Sequence, residues 1–290
     1  MASVAQTSKI RERRLQVQAT RDRALLRTFL ERDRLFAAYA ICDLDDKEFA
    51  RTRWAVALDG DGPVAVALEY NGSAPQPLFV MGDPDGIGAV LRDLIRPRAA
   101  YLAALQEHLP RVESLYRVEP GPQMVRMWVD RQGFQPFPGS IQRLLPADIG
   151  ELNRLYNLGF TSWLPSESIS QGVYFGIRAG GRLVAAAGTH VIGEEAKLAV
   201  VGNVMTHREY RSRGFAKITT SAVTQELLRN ADTVVLNVRA DNPPALAAYR
   251  ALGYREHVRF EERLIHRRGV LWDSIISPLR RLMPPSQKEV

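Results

Sequence analysis

Val200–Ala216 reads VVGNVMTHREYRSRGFA. A β-branched apolar run ends at Thr206, a polar turn closes on Arg211-Ser212-Arg213-Gly214-Phe215-Ala216, and helical spacing then runs to about Leu228. Strand, turn and helix in immediate succession leave unpaired backbone N–H groups at a helix N-terminus, where the dipole favours negative charge. Gly214 lets the backbone approach a bulky anion, and Arg211 and Arg213 add positive charge. The residues predict a phosphate cradle, although neither G-x-x-x-x-G-K-[ST] nor G-x-G-x-x-G is present. Many such junctions bind nothing, so the turn alone leaves a purely structural role open.

The totals bound the rest. A chain of 290 residues has room for one large domain or two ordinary ones, and 46% hydrophobic residues supply a substantial core. No apolar run approaches the roughly 20 residues that cross a bilayer, so no membrane span is expected. The first twenty residues lack an apolar h-region, so no secretory signal is expected. Cys42 is the single cysteine, which excludes an internal disulfide and makes a cytoplasmic protein the default expectation. The formal charge is +7, and only Lys9, Lys47, Lys197, Lys217 and Lys288 are lysines, so arginine dominates. Basic residues concentrate in Arg11–Arg34 and Arg263–Arg281, without the aromatic interleaving or reading helix of a nucleic-acid binder. A basic surface binder using those two ends is the weakest reading. The five histidines and one cysteine lack metal-ligand spacing.

Spacing along the chain predicts a helix over about 10–36, a hairpin from Trp54–Leu58 and Val64–Tyr70, and a strand at Leu78–Met81. It predicts helices over Ile87–Ile95 and Arg98–Leu109 and a strand at Met124–Val129. Gln135-Pro136-Phe137-Pro138-Gly139-Ser140 interrupts all periodicity and marks a boundary. After it come a strand at Ile141–Leu145, a helix to about Leu158, a short helix or loop at Ser166–Ser170, and a hairpin from Val173–Arg178 and Leu183–Ile192. Beyond the opening stretch follow a strand at Thr233–Arg239, a helix at Pro243–Leu252 and one or two strands over Tyr254–Ile265. Leu271, Trp272, Ile275, Ile276 and Leu279 have helical spacing in the tail.

A second landmark is Asn242-Pro243-Pro244-Ala245-Leu246-Ala247-Ala248-Tyr249-Arg250-Ala251-Leu252-Gly253-Tyr254. Asn242 suits an N-cap, Pro243 the first helical position and Gly253 the C′ position. Capping and packing alone would explain every one of these residues. Two motifs together say more. Arg211-x-x-Gly214-x-Ala216 resembles the Q/R-x-x-G-x-G/A signature of the GNAT superfamily of N-acetyltransferases, and Asn242–Tyr254 resembles that family's N-x-x-A-x-x-x-Y-x-x-x-G-F/Y segment. The resemblance covers about Val200–Tyr254 well and the rest of the second half by element order.

The resemblance implies an α+β fold of two tandem GNAT-like domains, each a mixed, mostly antiparallel twisted sheet flanked by helices. The expected division is residues 1–139, a degenerate domain, residues 140–268, the acetyltransferase domain, and a tail at 269–290. Asp83 and Asp85 stand in the first half's counterpart of the cradle, where they would repel a pyrophosphate. The implied function is transfer of an acetyl group from acetyl-CoA to a primary amine, small molecule or peptide, by direct attack. Backbone N–H groups of Val204, Met205 and Thr206 would meet the oxyanion, and Arg211, Ser212, Arg213, Gly214, Phe215 and Ala216 would bind the pyrophosphate. Asn242 would meet the pantetheine or adenine side, and Tyr249 would protonate the leaving thiolate. The base is open among His190, His207, Glu194-Glu195 and a water chain. Tyr156, Phe160 and Trp163 are candidates for an aromatic acceptor wall. The rival reading is a non-catalytic acyl-CoA sensor or protein-interaction module on the same scaffold.

Overall fold

The computed structural model describes residues 15–60, 62–72, 75–157 and 164–269. In the first half β1 (Gln16–Ala19) is followed by α1 (Arg23–Leu30), α2 (Ala38–Cys42), α3 (Asp46–Phe49), β2 (Thr52–Asp59), β3 (Gly62–Tyr70), β4 (Gln76–Gly82), α4 (Pro84–Asp93), β5 (Ala99–Ala104), α5 (Leu109–Glu113), β6 (Tyr116–Val118) and β7 (Gln123–Asp130). In the second half β8 (Gln142–Arg143) is followed by α6 (Ile149–Tyr156), α7 (Ser166–Gln171), β9 (Phe175–Ala179), β10 (Arg182–Gly193), β11 (Leu198–Thr206), α8 (Phe215–Leu227), β12 (Thr233–Arg239), α9 (Pro243–Arg250) and β13 (Arg255–Arg267). The fold is α+β, with a mostly antiparallel sheet flanked by helices.

All strands among the described residues join one 13-stranded sheet in the order β1-β2-β3-β4-β5-β13-β7-β12-β11-β10-β9-β8, with β6 beside β13. The two halves exchange strands at its centre. β13, from the second half, lies antiparallel to β5 of the first, with Ile265 opposite Ala100. β7, from the first half, lies antiparallel to β12 of the second over Thr233↔Asp130 to Arg239↔Met124. The two exchanged strands pair with each other from Arg255↔Trp128 to Glu261↔Gln123. Each half contains one parallel pair, β4 with β5 and β11 with β12, and each parallel pair is joined by a crossover helix, α4 or α8.

Alternation along the strands sorts side chains to two faces. Val125, Met127, Val234, Leu236 and Val238 face α8 and α9 with Val223, Leu227 and Tyr249, while Ala100, Leu102 and Ala104 face α4 with Ile87, Val90 and Leu91. The opposite face is covered across both halves by α1 and α2. There Leu26, Phe29, Phe36 and Ile41 pack with Trp54 and Val56 of the first half and Val200 and Val235 of the second.

Three expectations change. Gln16–Ala19 is an edge strand on β2 instead of the start of a long helix; the helix begins after Asp22, whose side chain accepts the Leu25 N–H at 3.0 Å. Ala99–Ala104 is a strand instead of a helix. Ala100, Leu102 and Ala104 are buried between β4 and β13, and pairing on both sides overrides the helix propensity of alanine and leucine. The segment after Phe36 forms α2 and α3, which the spacing did not announce. The helical spacing at 271–279 lies outside the described residues, as do Phe160 and Trp163.

Separate halves divided between residues 139 and 140 should therefore fail to fold alone, because β7 has only second-half neighbours and β5 loses β13 from one edge. Circular dichroism and urea titration of each half should show no cooperative transition, and mixing the halves from denaturant should restore one. Cooperative unfolding of residues 1–139 alone would contradict the exchange.

Candidate functional site

β11 and β12 pair only from Leu198↔Thr233 to Val201↔Leu236. Beyond that point β12 stays with β7, β11 stays with β10, and the two strands part. β11 is buried through Val201 and partly exposed from Gly202 to Thr206. The parting coincides with a bulge: Asn203 has φ 52°, and the β10–β11 register shifts between the Ala186 and Gly188 pairs. His207 N–H donates to the Val184 carbonyl at 2.8 Å, so alternation turns the N–H groups of Thr206 and Val204 into the split and that of Met205 toward β10. The three predicted donors thus divide two to one. The Thr206 Oγ1 atom is buried there without a partner among the described residues.

The chain then turns through Arg208–Tyr210 and enters α8 at the predicted junction. Ser212 and Gly214 take left-handed φ values of 61° and 77°. Among the described residues no side chain caps α8, and its first internal bond runs from Ile218 N–H to Gly214 C=O at 3.0 Å. The N–H groups of residues 212–217 have no protein acceptor among the described residues. Among the described residues nothing beyond its chain neighbours lies within 4 Å of the place a Gly214 Cβ would occupy. An open row of N–H donors at the start of a 13-residue helix fits an anion with room around it. Arg211 and Arg213 are exposed, Arg213 lying 5.0 Å from the Tyr210 ring. Tyr210 in turn stacks on Phe215 at 6.5 Å, and Ala216 follows in the first turn of the helix.

Asn242 caps α9, its side-chain oxygen accepting the Ala245 N–H at 3.3 Å. Tyr249, 6% exposed, belongs to the apolar cluster of Leu236 and Val238, against which Val204 of β11 also packs. Its ring lies 6.1 Å from Tyr254, whose hydroxyl is paired with Thr224 Oγ1 at 2.7 Å. The Tyr249 hydroxyl makes no hydrogen bond among the described residues, and burial pushes its pKa up to about 12.

On the opposite face a polar network closes around the bulge. Gly188 and Gly202 are cross-strand partners, and a Cβ on either would strike a ring, Tyr174 at 2.1 Å and His190 at 2.4 Å. His190 sits in a second bulge, between Thr189 and Val191. Its Nε2 lies 3.1 Å from Asn203 Oδ1 and its Nδ1 2.7 Å from the Tyr39 hydroxyl of α2. Asn203 Nδ2 donates to the Tyr174 hydroxyl at 3.0 Å, and the Tyr156 hydroxyl donates to the Asn203 carbonyl at 2.6 Å. Spacing singled out His190 and Tyr156 but gave no sign of Tyr39, Tyr174 or Asn203. The paired glycines were the available signal.

The other base candidates lie elsewhere. His207 accepts the Glu209 N–H at 3.4 Å and meets the Tyr210 ring edge-on at 5.8 Å, as part of the turn. Glu194 and Glu195 occupy the far end of the β10–β11 hairpin, where Glu195 pairs with Arg27 at 3.1 Å. That end is about 25 Å along the strand from Thr206 at roughly 3.3 Å per residue. Among the described residues no group of three or more His, Cys, Asp or Glu could hold a metal ion. No described helix is long and apolar enough to cross a membrane.

The first half's counterpart is filled. α4 follows β4 directly, and Asp83 caps it through the Gly86 N–H at 2.9 Å. The buried His108 accepts the Leu105 N–H at Nδ1 and so donates from Nε2 to the Gly82 carbonyl at 3.0 Å. Asp85 pairs with Arg111. A carboxylate holds the place an anion would take.

Residues 145–254 match the acetyltransferase (GNAT) family model and form a GNAT acetyltransferase domain. Similar solved structures include a GNAT-family protein from Novosphingobium aromaticivorans, 24% identical over 69% of this chain and 88% of that one, with a TM-score of 0.54. A GCN5-related N-acetyltransferase from Sphaerobacter thermophilus is 18% identical over 88% and 97%, with a TM-score of 0.61. A tandem GNAT protein from the clavulanic acid biosynthesis pathway is 17% identical over 89% and 99%, with a TM-score of 0.55. These likenesses show the fold. No curated protein matches the chain.

Gly214→Ala should cost about 1–2 kcal/mol of stability, the price of a left-handed alanine, because no neighbouring atom adds a clash. Gly214→Asn should cost less, since asparagine tolerates that conformation. Urea unfolding of the variants measures both; equal stability of all three proteins would show that the turn relaxes.

Proposed function

We propose that this protein is an acetyl-CoA-dependent N-acetyltransferase acting on a primary amine, with its site in the second half. The observation that carries the reading is the asymmetry of the two crossover helices: α8 starts uncapped with open N–H donors, whereas α4 is capped by an aspartate. Acetyl-CoA supplies an acetyl thioester and a pyrophosphate. The N–H groups of residues 212–217, with Arg211 and Arg213 beside them, would hold the pyrophosphate. Val204 and Thr206 N–H groups would stabilise negative charge on the carbonyl oxygen, as donors fixed before the reaction starts. Asn242 would contribute as the cap that fixes α9, and so Tyr249, against the split.

Tyr249 is the proposed acid. With its pKa at about 12 it keeps its proton across the working range. Such a phenol is a weaker acid than an ordinary thiol, so proton transfer to a thiolate needs the thiolate to be desolvated in the same apolar surroundings, which raises its basicity in parallel. Tyr249→Phe should leave acetyl-CoA affinity within about twofold and lower kcat by roughly 100-fold, the lower end of general-acid effects. Calorimetry and thiol release with a panel of amines test this. Binding without turnover on any amine would favour a sensor, and folded protein that does not bind acetyl-CoA would overturn the reading.

A further inference from the structure

We propose that the two halves jointly build the proton acceptor of this site: the Tyr39 hydroxyl, contributed by α2 of the first half, takes the proton of the incoming amine while passing its own proton to His190 Nδ1. This rests on the acetyltransferase reading and adds to it the residue that touches the amine and a positioning residue behind it.

The hydrogen bonds fix the direction of transfer. Asn203 Nδ2 donates to Tyr174, whose own hydroxyl donates to the Thr189 carbonyl at 3.0 Å, so Asn203 Oδ1 is left as an acceptor facing His190. His190 must then carry its proton on Nε2, and its Nδ1 lone pair accepts the Tyr39 O–H at 2.7 Å. The pair is thus set in the sense a base requires, with a hydroxyl whose proton already points at a free nitrogen. Loss of a proton from the ammonium to the Tyr39 oxygen, coupled to transfer of the hydroxyl proton to Nδ1, leaves a neutral amine, an unchanged phenol and an imidazolium. That imidazolium keeps its Nε2–H bond to Asn203 and, being exposed, can release the extra proton to water.

The placement fits the chemistry. Asn203 is the bulge residue immediately before Val204, so the pair adjoins the proposed oxyanion donors. It lies on the face covered by α2 and α6, whereas Tyr249 lies on the face covered by α8 and α9. Acid and base would therefore address the split from opposite sides of the sheet. The sequence provides for the ring: Gly202 has no Cβ where His190 lies. Although part of the residue reaches solvent, the protein packed around the ring lowers the His190 pKa below the ordinary histidine value; the Asn203 bond offsets part of that shift, and an imidazole so lowered is neutral near pH 7. Around the pair stand Arg126 of β7, 5.1 Å from the Tyr39 ring, and in electrostatic reach of Tyr39 the carboxyls of Glu262 of β13 and Asp43 and the thiol of Cys42, with Tyr156 and Tyr174 beyond Asn203. Burial raises Tyr39 itself, so it stays protonated until its proton is drawn off.

Three measurements on the full-length protein test the proposal. Nitrogen NMR of the unliganded protein should show His190 protonated at Nε2 and bare at Nδ1; a proton on Nδ1 would close the route and overturn it. With an amine that the wild type acetylates, kcat/KM should fall as pH drops through the His190 pKa. Tyr39→Phe, which keeps the ring beside Arg126, should lower kcat/KM at least 10-fold with acetyl-CoA affinity unchanged. His190→Gln, which can still donate to Asn203, should remove the acidic limb. Unchanged rates and an unchanged limb in both variants, with acetyl-CoA still bound and turned over, would overturn this proposal alone. A wild type that transfers acetyl to no amine would overturn both this and the acetyltransferase reading.

Discussion

The hydrogen-bond ladder through β5, β13, β7 and β12 is the constraint on which the rest depends. Backbone donors and acceptors at the middle of a sheet have no water to turn to, so each must find a strand. Here the two inner strands are exchanged between the halves, and neither half can complete its own ladder. A single sheet results, and α1 and α2 can cover its shared face across the junction. That is why a side chain as early as Tyr39 can reach a strand of the second half, 151 residues away from its partner His190.

The same backbone plan is used twice with opposite outcomes. Each half has a parallel strand pair joined by a crossover helix. In the first half the helix follows the strand without an intervening turn, Asp83 satisfies its N-terminus, and His108 secures the last carbonyl of the strand. In the second, eight residues intervene between Thr206 and Phe215, two of them in left-handed conformations, and the helix starts uncapped. An uncapped N-terminus costs stability that a serine or aspartate would restore. Its presence opposite a capped twin locates the difference in what each half has to leave open.

What was legible in the sequence was local. Gly214, Asn242, Pro243 and Gly253 announce themselves because each conformation they serve is set within a few residues. The alternating strands of the hairpins were legible for the same reason. Ala99–Ala104 was not, since alanine serves either periodicity and only the neighbours β4 and β13 decide it. The strand exchange was not legible either, because any pairing of β7 and β13 satisfies their alternation. The network at the bulge needs Tyr39, Tyr174, His190 and Asn203 at once, and no spacing rule joins residues from four elements or the turns beside them. The Gly188 and Gly202 pair becomes meaningful only when the register sets the two opposite each other.

If the uncapped start of α8 receives a coenzyme, its capped counterpart at α4 should not. Amide hydrogen exchange with and without acetyl-CoA tests it most directly. Exchange should slow across residues 204–217 and stay unchanged across residues 82–88. Protection at residues 82–88, or protection that spares residues 204–217, would contradict it.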